Sequence, residues 1–204
     1  MKIIGIGKNY INTKDEIPKY KTGNQIIFTK PTTSLVTDNN DVVFPEITQD
    51  LVYEVELVAK IGKSGKNIPE SDAVSYISEM AVGIDFTARD VLQLYRETKH
   101  PWALAKGFDG GAPISKFLPI ANFSDLKNIN FDLKINGQSK QVGNTDLMIY
   151  SFEEIIAYVS KFMTLEEGDI IFTGTPATGV GQTFKGDHLQ ASIEGELLLD
   201  FKMI

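Results

Sequence analysis

Two glutamates separated by a single residue interrupt an otherwise apolar stretch, "LVYEVELVAKIGK", at positions 51–63. Successive side chains of a strand point to opposite faces, so Glu54 and Glu56 would share one face of an extended chain. Adjacent like charges repel unless water or a cation screens them. A half-exposed strand with its polar face in water is the commoner source of this pattern. The alternative is a pair of carboxylates aimed at a hard cation, since such ions prefer oxygen ligands.

A third carboxylate stands in apolar surroundings further along the chain. Asp85 lies between Ile84 and Phe86, immediately before a predicted helix. The ordinary interpretation is an aspartate stabilised by the dipole of that helix, because a buried and unpaired charge would be costly. The functional interpretation is a third oxygen ligand beside Glu54 and Glu56. Three carboxylates without histidine or cysteine select Mg²⁺, Mn²⁺ or Ca²⁺ over zinc.

Two lysines supply complementary charge. Lys106 follows apolar residues in "WALAKGFDGGAPI" and precedes a glycine-rich turn, and Lys30 ends the predicted strand "QIIFTK" just before Pro31. Each lysine alone would be interpreted as an ordinary solvated side chain. Together with the three carboxylates they indicate a site for a doubly anionic substrate chelated to a metal.

Composition restricts the classes of function open to the chain. Its 204 residues suffice for one domain with a sizeable core. The formal net charge of −7 argues against a nucleic-acid partner, which needs a basic surface. The lack of cysteine excludes disulfides, thiolate metal sites and cysteine nucleophiles. We expect a cytoplasmic protein without membrane contact, since we find neither a signal peptide nor a run of about 18 apolar residues.

The elements that must position these residues follow an α+β pattern with more strand than helix, in a single domain over residues 1–204. Asn136-Gly137 predicts a hairpin turn, and Ser151 with Glu154 predicts a capping box. Strands are expected at 2–7, 25–30, 51–61, 169–174 and 188–204, and the last of these contains a Glu194-Gly195 turn. A hairpin is expected at 131–143. Helices are expected at 70–83, at 87–99, where Thr87 and Asp90 form the cap, and at 151–163.

Familiar catalytic signatures are missing. The "GKS" at 62–64 lacks the first glycine of a P-loop, because that position holds Leu57. "GTPATGVG" at 174–181 lacks the G-x-G-x-x-G spacing, and no G-x-S-x-G elbow occurs. Neither His100 nor His188 has the spacing of a zinc ligand. Any chemistry therefore has to come from the carboxylates and lysines.

Seven segments, in order, resemble the fumarylacetoacetate hydrolase superfamily. They are "GKNY", "FTKPTT", "YEVELVAKIGK", "GIDFTARD", "PWALAKGFD", "LEEGDIIFTGTPATGVG" and "IEGELLLDF". The resemblance extends from Gly7 to the C-terminus. It is closest to the compact branch that contains acylpyruvate hydrolases and the oxaloacetate decarboxylases and tautomerases.

This resemblance implies a mixed β-sandwich roll with a few flanking helices, which usually forms homodimers. It implies one Mg²⁺ or Mn²⁺, with Ca²⁺ as a possible substitute, held by Glu54, Glu56 and Asp85. Lys106 would contact the substrate and the developing enolate. The segment of about residues 9–24 would be a flexible lid that orders over the ligand. Near the substrate carboxylate, or supporting the metal ligands, the resemblance places Lys30, Arg89 and Thr175.

One departure from the family pattern affects the chemistry. Hydrolytic and decarboxylating relatives carry a histidine six positions after the glycine of "G-[KR]-N-Y" and a glutamate three positions further on. These positions hold Thr13 and Glu16, so the glutamate is kept and the histidine is not. Threonine cannot act as a base near neutral pH. Leu92 also departs, because close relatives often have glutamine there, although Gln93 is adjacent.

The chemistry that the resemblance implies begins with a 2-oxo acid that chelates the cation and forms an enolate. Tautomerisation ends there, decarboxylation of oxaloacetate passes through the same enolate, and C–C hydrolysis of an acylpyruvate also needs an activated water. Because the histidine is missing, we expect an oxaloacetate tautomerase, a decarboxylase or a related isomerase, with Lys106 and Glu16 as catalytic residues. Two alternatives stay open: an acylpyruvate- or fumarylacetoacetate-type hydrolase, and a catalytically silent protein that binds a 2-oxo acid.

Overall fold

The computed structural model describes all 204 residues. Strands predominate, and the helices are short apart from two. The strands are β1 Ile3–Gly7, β2 Ile26–Lys30, β3 Leu35–Val36, β4 Leu51–Tyr53, β5 Val55–Ile61, β6 Ile77–Ile84, β7 Thr87–Ala88, β8 Ala112–Pro113, β9 Leu118–Pro119, β10 Asn130–Ile135, β11 Gln138–Asn144, β12 Ile170–Phe172, β13 Gly181–Gln182, β14 His188–Ile193 and β15 Glu196–Lys202. The α-helices are α1 Ile17–Tyr20, α2 Glu70–Ala73, α3 Arg89–Thr98, α4 Ala103–Lys106 and α5 Phe152–Phe162, and single 3₁₀ turns cover Lys14–Glu16, Thr32–Ser34, Val74–Tyr76, Ile120–Asn122 and Thr145–Leu147.

A six-stranded mixed sheet forms the centre of the fold, in the order β2-β1-β12-β5-β6-β9. β1 and β12 run parallel, and every other pair in this sheet is antiparallel. One face packs against a four-stranded antiparallel sheet, β11-β10-β14-β15, to give a sandwich. Leu57 and Val82 from the first sheet share the main core with Leu189 and Phe201 from the second. The predicted fold class, an α+β and mostly β sandwich, is confirmed.

The other face of the large sheet holds a smaller apolar cluster that includes Val58, Ala81 and Phe172. Strand alternation puts Glu56 on this face as well, because it lies two residues from Val58. The strand predicted over 51–61 is split at Glu54, which belongs to neither β4 nor β5. β4 leaves the large sheet and pairs with β7 and β13 instead. The break lets Glu54 depart from strict strand geometry.

The helix predicted over 70–83 is wrong for most of its length. Only Glu70–Ala73 is α-helical, and Ile77–Ile84 forms β6, which pairs with β5 on one side and β9 on the other. A strand buried on both faces is a continuous apolar run, which periodicity alone does not distinguish from a buried helix. Residues 77–84 form a strand despite their helical pattern, because they pair with other strands of the large sheet.

The cap predicted for α3 is also wrong. The helix begins at Arg89, and Thr87 lies in β7, where it pairs with Val52 of β4. By contrast, the hairpin and the third helix are confirmed. Asn136 and Gly137 both have positive φ between β10 and β11, and the Ser151–Glu154 capping box opens α5.

The segment expected to act as a lid divides into two parts. Asn9, Tyr10 and Ile11 are buried, whereas most residues from 12 to 24 are exposed. Two ion pairs connect the exposed part to the region before and within α5: Lys14 with Asp146 at 2.8 Å and Lys21 with Glu154 at 2.6 Å. Closure of this segment over a ligand stays a prediction. None of the helices is both long enough and apolar enough to cross a bilayer.

Candidate active site

Glu54, Glu56 and Asp85 converge at one point. Each offers a carboxylate oxygen, and these oxygens all lie within 4.8 Å of one another. Glu54 stands at the break between β4 and β5, Glu56 projects from β5, and Asp85 follows the last residue of β6. The backbone holds two of them together, because Asp85 N donates to Glu54 O at 2.8 Å. Glu56 is 2% exposed and Asp85 is 0% exposed. The E-x-E pattern is therefore not the solvent-exposed face of a strand.

Lys106, the last residue of α4, places its ammonium between two of these carboxylates. Nζ donates to Glu54 Oε2 at 2.8 Å, to Asp85 Oδ2 at 2.5 Å and to Thr87 Oγ1 at 2.6 Å. The same Nζ lies 4.8 Å from the ring centroid of Phe28. Thr87 therefore has a role in the site, as an acceptor for Lys106.

Lys30 lies behind Asp85, away from the cleft that the other residues line. Its Nζ is 2.7 Å from Asp85 Oδ1 and donates to three backbone carbonyls, those of Phe86 at 3.1 Å, Gly111 at 2.9 Å and Lys106. Lys30 and Lys106 are each 4% exposed, so neither is the solvated lysine that its local sequence suggested. Lys30 holds Asp85 and the C-terminal end of α4 in place, and it does not line the cleft.

The carboxylates differ in the direction of their pKa shifts. Burial, together with the charges of Asp85 and Glu54, raises the pKa of Glu56 well above its usual value. Burial also raises the pKa of Glu54, despite the attraction of Lys106. Burial alone would raise the pKa of Asp85, but Lys106 and Lys30 outweigh it and lower that pKa. Lys106 lowers the pKa of Glu56 only partly, and no ammonium group pairs directly with that carboxylate.

This donor set fits a divalent oxygen-seeking cation. The three carboxylates are buried and mutually repulsive, and the two ammonium groups both bind Asp85. A cation beside Glu54 and Glu56 would relieve the repulsion that raises their pKa values. No histidine or cysteine lines the cleft, which matches Mg²⁺ or Mn²⁺ better than zinc.

The cluster opens into a cleft of about 360 Å³. That volume suits a small organic acid. Glu54, Glu56, Asp85 and Lys106 provide the polar floor, and the walls are largely apolar. The remaining lining residues are Ile6, Gly7, Lys8, Tyr10, Ile11, Asn12, Glu16, Tyr20, Ile26, Phe28, Leu92, Arg96, Trp102, Ile149, Thr175, Pro176, Ala177 and Val180.

The loop after β12 closes one side of the cleft and holds Glu56. Gly174 N donates to Glu56 Oε2 at 2.7 Å. Gly174 has φ +102°, and a Cβ there would lie 2.7 Å from Asn9 Cβ, so only glycine fits. Thr175 lines the cleft, and its hydroxyl accepts from Gln141 Nε2 at 3.0 Å. Gln141 Oε1 in turn accepts from Val55 N at 2.9 Å, which ties the loop to the start of β5.

Asn9 anchors the base of the predicted lid. Its Nδ2 donates to Thr173 O at 2.8 Å and to Tyr150 O at 3.0 Å, and its Oδ1 accepts from Tyr150 N at 2.9 Å. The side chain is 0% exposed and uses all its hydrogen-bonding groups on the backbone. The asparagine of the "GKNY" segment is therefore a structural residue.

Thr13 and Glu16, the lid positions that were compared with the family pattern, differ in their relation to the cleft. Glu16 lines the cleft, whereas Thr13 is exposed and does not. The Glu16 carboxylate accepts from Asn12 N at 2.9 Å and from Thr13 N at 3.3 Å. In this arrangement Glu16 stabilises the turn of its own segment.

Arg89 is not brought to the cleft. Its guanidinium pairs with Asp50, with Nε–Oδ2 at 2.7 Å and Nη2–Oδ1 at 2.8 Å. The helix α3 instead presents Leu92 and Arg96, four residues apart and on one face, to the cleft. Gln93 does not replace the missing glutamine, because its side chain is exposed and donates to Glu97 at 3.2 Å.

Arg96, Trp102 and Phe28 were not identified from the sequence. Trp102 stands in the "PWALAKGFD" segment, four residues before Lys106. The spacing of Leu92 and Arg96 on a predicted helix was the signal available for the arginine. Phe28 is half-buried and follows no obvious sequence pattern, and its place beside Lys106 arises from pairing of β2 with β1.

Comparison with known proteins agrees with this geometry. A family model described as fumarylacetoacetate (FAA) hydrolase C-terminal matches residues 2–200. The mitochondrial oxaloacetate tautomerase FAHD1 of Bos taurus is 40% identical over 201 residues, covering 98% of this chain and 90% of that protein. The mitochondrial oxaloacetate decarboxylase of Dictyostelium discoideum is 37% identical over 195 residues, covering 95% of this chain and 89% of that protein.

A solved structure shares the fold throughout. The fumarylpyruvate hydrolase from Pseudomonas aeruginosa, in complex with Mn²⁺ and pyruvate, superimposes with a TM-score of 0.89 at 32% identity, covering 100% of this chain and 90% of that one. The match to the family model extends over nearly the whole chain, and it includes the three carboxylates and Lys106. The chain belongs to the fumarylacetoacetate hydrolase superfamily and is an enzyme of that family.

Proposed function

We propose that the protein is a Mg²⁺- or Mn²⁺-dependent enzyme that interconverts the keto and enol forms of a small 2-oxo acid such as oxaloacetate. The observation that carries this proposal is the position of Lys106. Its ammonium lies between Glu54 and Asp85 at the floor of a cleft sized for a small acid. The Bos taurus relative named oxaloacetate tautomerase supports the choice of reaction.

Glu54, Glu56 and Asp85 would hold the cation. When bound, the ion supplies Lewis-acid polarisation of the 2-oxo carbonyl and favours the enolate. The Pseudomonas aeruginosa structure with Mn²⁺ and pyruvate supports a metal and a 2-oxo acid as ligands of this fold. Mg²⁺ and Mn²⁺ share this oxygen donor set, so both belong to the proposal.

Lys106 would transfer the proton. Nζ carries three protons, and all three are donated, to Glu54, Asp85 and Thr87. A substrate must therefore displace one of these bonds. The bond to Glu54 is the easiest to exchange, because that carboxylate is 21% exposed whereas the Asp85 side chain is 1% exposed. Burial alone would lower the pKa of Lys106, but Asp85 and Glu54 raise it, which supports a role for the ammonium as a proton donor.

Decarboxylation and C–C hydrolysis are the second candidates. The Dictyostelium discoideum relative is named a decarboxylase, and decarboxylation of oxaloacetate needs no residue beyond those that form the enolate. Hydrolysis needs a base for water, and Glu16 is the cleft residue that could act as one. In the present arrangement Oε2 of its carboxylate accepts from two backbone N–H groups. We therefore propose hydrolysis as a second candidate, after tautomerisation.

The assembly and the location are also proposals. We propose a homodimer, as the resemblance to the family implied. We keep a cytoplasmic location as a prediction, although the two relatives described above are named mitochondrial.

A substrate panel tests the proposed function. The loss of enol absorbance from freshly dissolved oxaloacetate is followed with enzyme and Mg²⁺, and pyruvate release and acylpyruvate cleavage are followed in parallel. The proposal predicts that enol loss is accelerated most. Acceleration of acylpyruvate cleavage above enol loss would favour the hydrolase. No acceleration of any reaction, with 2-oxo acid binding intact, would identify a silent binding protein.

A further inference from the structure

One wall of the cleft alternates cations and aromatic rings from the floor to the mouth. Lys106 Nζ lies 4.8 Å from the Phe28 ring centroid, and Phe28 lies 6.4 Å from Trp102, centroid to centroid. Arg96 Cζ then lies 5.1 Å from the Trp102 ring. All four side chains line the same cleft. The wall therefore leads from the reacting centre to a guanidinium along two aromatic faces.

Arg96 has no acidic partner and no hydrogen bond from its guanidinium. This distinguishes it from Arg89 on the same helix, which forms a two-bond pair with Asp50. The guanidinium of Arg96 lies over the Trp102 ring, and its N–H groups have no hydrogen-bond partner in the protein. An arginine held in this way is suited to bind a carboxylate through two parallel hydrogen bonds.

We propose that Arg96 and Trp102 form a distal subsite that selects 2-oxo acids whose chain ends in a second carboxylate beyond the fourth carbon. This inference rests on the proposed function, because the 2-oxo end must lie at the carboxylate cluster. The rings of Phe28 and Trp102 then face the middle of the chain, and the apolar side chain of Leu92 faces it from α3. Because Phe28 and Trp102 separate Lys106 from Arg96 along the wall, we expect a four-carbon acid such as oxaloacetate bound at the floor not to reach Arg96.

The other free cation in the cleft is Lys8. It is exposed and adopts a left-handed conformation with φ 54°. No aromatic ring holds its ammonium. A lysine without such a contact gives less selectivity than an arginine held over a ring, so we assign the distal carboxylate to Arg96.

Binding of a matched pair of acids tests the subsite. Trp102 is the one tryptophan in the chain, so its fluorescence reports occupancy of this wall. With saturating Mg²⁺, 2-oxoadipate and 2-oxohexanoate are titrated against the wild-type protein and three variants, Arg96→Gln, Lys8→Gln and Lys99→Gln. The two acids have the same length and differ by the distal carboxylate. Lys99→Gln is the matched control, because Lys99 ends the same helix, is exposed and does not line the cleft.

We expect the wild-type protein to bind 2-oxoadipate about fivefold more tightly than 2-oxohexanoate, the ratio typical of one exposed ion pair. Arg96→Gln should reduce this ratio to about one, and Lys99→Gln and Lys8→Gln should keep it. Equal binding of both acids by the wild-type protein, or loss of the ratio in Lys8→Gln alone, would overturn the subsite and leave the proposed function standing. Failure of both six-carbon acids to bind while oxaloacetate binds would overturn the subsite alone, and failure of all three acids to bind would overturn the proposed function as well.

Discussion

Lys106 and Asp85 form the closest charged pair of the site, with 2.5 Å between Nζ and Oδ2. Asp85 is also held from the opposite side, by Lys30 at 2.7 Å from Oδ1. One carboxylate thus joins a lysine that lines the cleft to a lysine that does not. The arrangement fixes Lys106 against the floor. Glu56 has no lysine partner, so a bound cation would stabilise the charge of this carboxylate most.

Glu56→Gln should abolish tight binding of Mn²⁺. The substitution keeps the shape of the side chain and its acceptor for Gly174 N but removes one of three charged ligands. Even residues outside the ligand shell change metal affinity by about 10- to 100-fold, so we expect a loss of at least about 100-fold. Calorimetric titration with Mn²⁺ measures the affinity.

The matched control is Glu46→Gln, which removes an exposed carboxylate distant from the cleft. It should bind Mn²⁺ as the wild-type protein does. If Glu56→Gln also bound the ion unchanged, the cation would have to lie elsewhere.

Gly174→Ala should destabilise the fold more than Gly168→Ala. Both glycines have positive φ, but a Cβ at Gly174 would meet Asn9 Cβ at 2.7 Å, whereas a Cβ at Gly168 meets nothing within 4 Å. We expect about 1 kcal/mol of lost unfolding free energy at Gly168 and about 3 kcal/mol at Gly174. Urea denaturation of the two variants provides the comparison. Equal losses would show that the loop absorbs the clash.

Thr13→His should increase acylpyruvate cleavage. It restores the base that hydrolytic relatives carry three residues before the glutamate, here Glu16, and a positioned general base contributes about 100-fold or more. Because Thr13 is exposed in this structure, the gain requires the lid segment to move over the ligand. Steady-state assays of Thr13→His and of a Thr13→Asn control measure the effect. An unchanged rate in both would show that the missing histidine does not limit hydrolysis.

The stability contributed by Asp90 should disappear in acid. Partial burial would raise the pKa of this carboxyl, but hydrogen bonds from Thr48 Oγ1 and from the N–H groups of Gln49 and Val91 lower it. A folded-state pKa below the unfolded value of 3.8 means that the contribution is present above pH 3.8 and is lost as the pH falls through the folded pKa.

Thermal melts from pH 6 down to pH 3 measure this loss. Asp90→Asn should be less stable than the wild-type protein at pH 6 and should approach it at low pH. The difference should stay below about 1 kcal/mol, because the carboxylate is largely solvated. A difference that did not change with pH would assign the effect to packing of the α3 N-terminus.

The three carboxylates of the candidate cation site could be selected from the sequence because each stands in a segment that resembles the family, and the structure brings them together. The hairpin turn at Asn136-Gly137 and the capping box at Ser151 depend on local backbone geometry, and both are confirmed. β6 could not be identified in the same way. Its sequence fits a helix, and only pairing with β5 and β9 makes it a strand.

The same distinction explains which contacts within the site the sequence did not indicate. Arg89 was expected near the substrate, and its pairing with Asp50, 39 residues earlier, is a long-range contact that no local pattern indicates. The burial of Lys30 likewise depends on three carbonyls that belong to other segments. Residue types and spacing predicted the chemistry, and the partners that restrain each side chain came from the tertiary fold.

The most direct test of the account compares the wild-type protein with Lys106→Met in the enol-loss assay with oxaloacetate and Mg²⁺. Mn²⁺ titration of the variant confirms that the cation site is retained. We expect Lys106→Met to bind the ion and to lose at least about 100-fold in the rate of enol loss, the lower end of the range for a general acid. A variant that binds the ion and converts the enol at the wild-type rate would contradict the central role of Lys106.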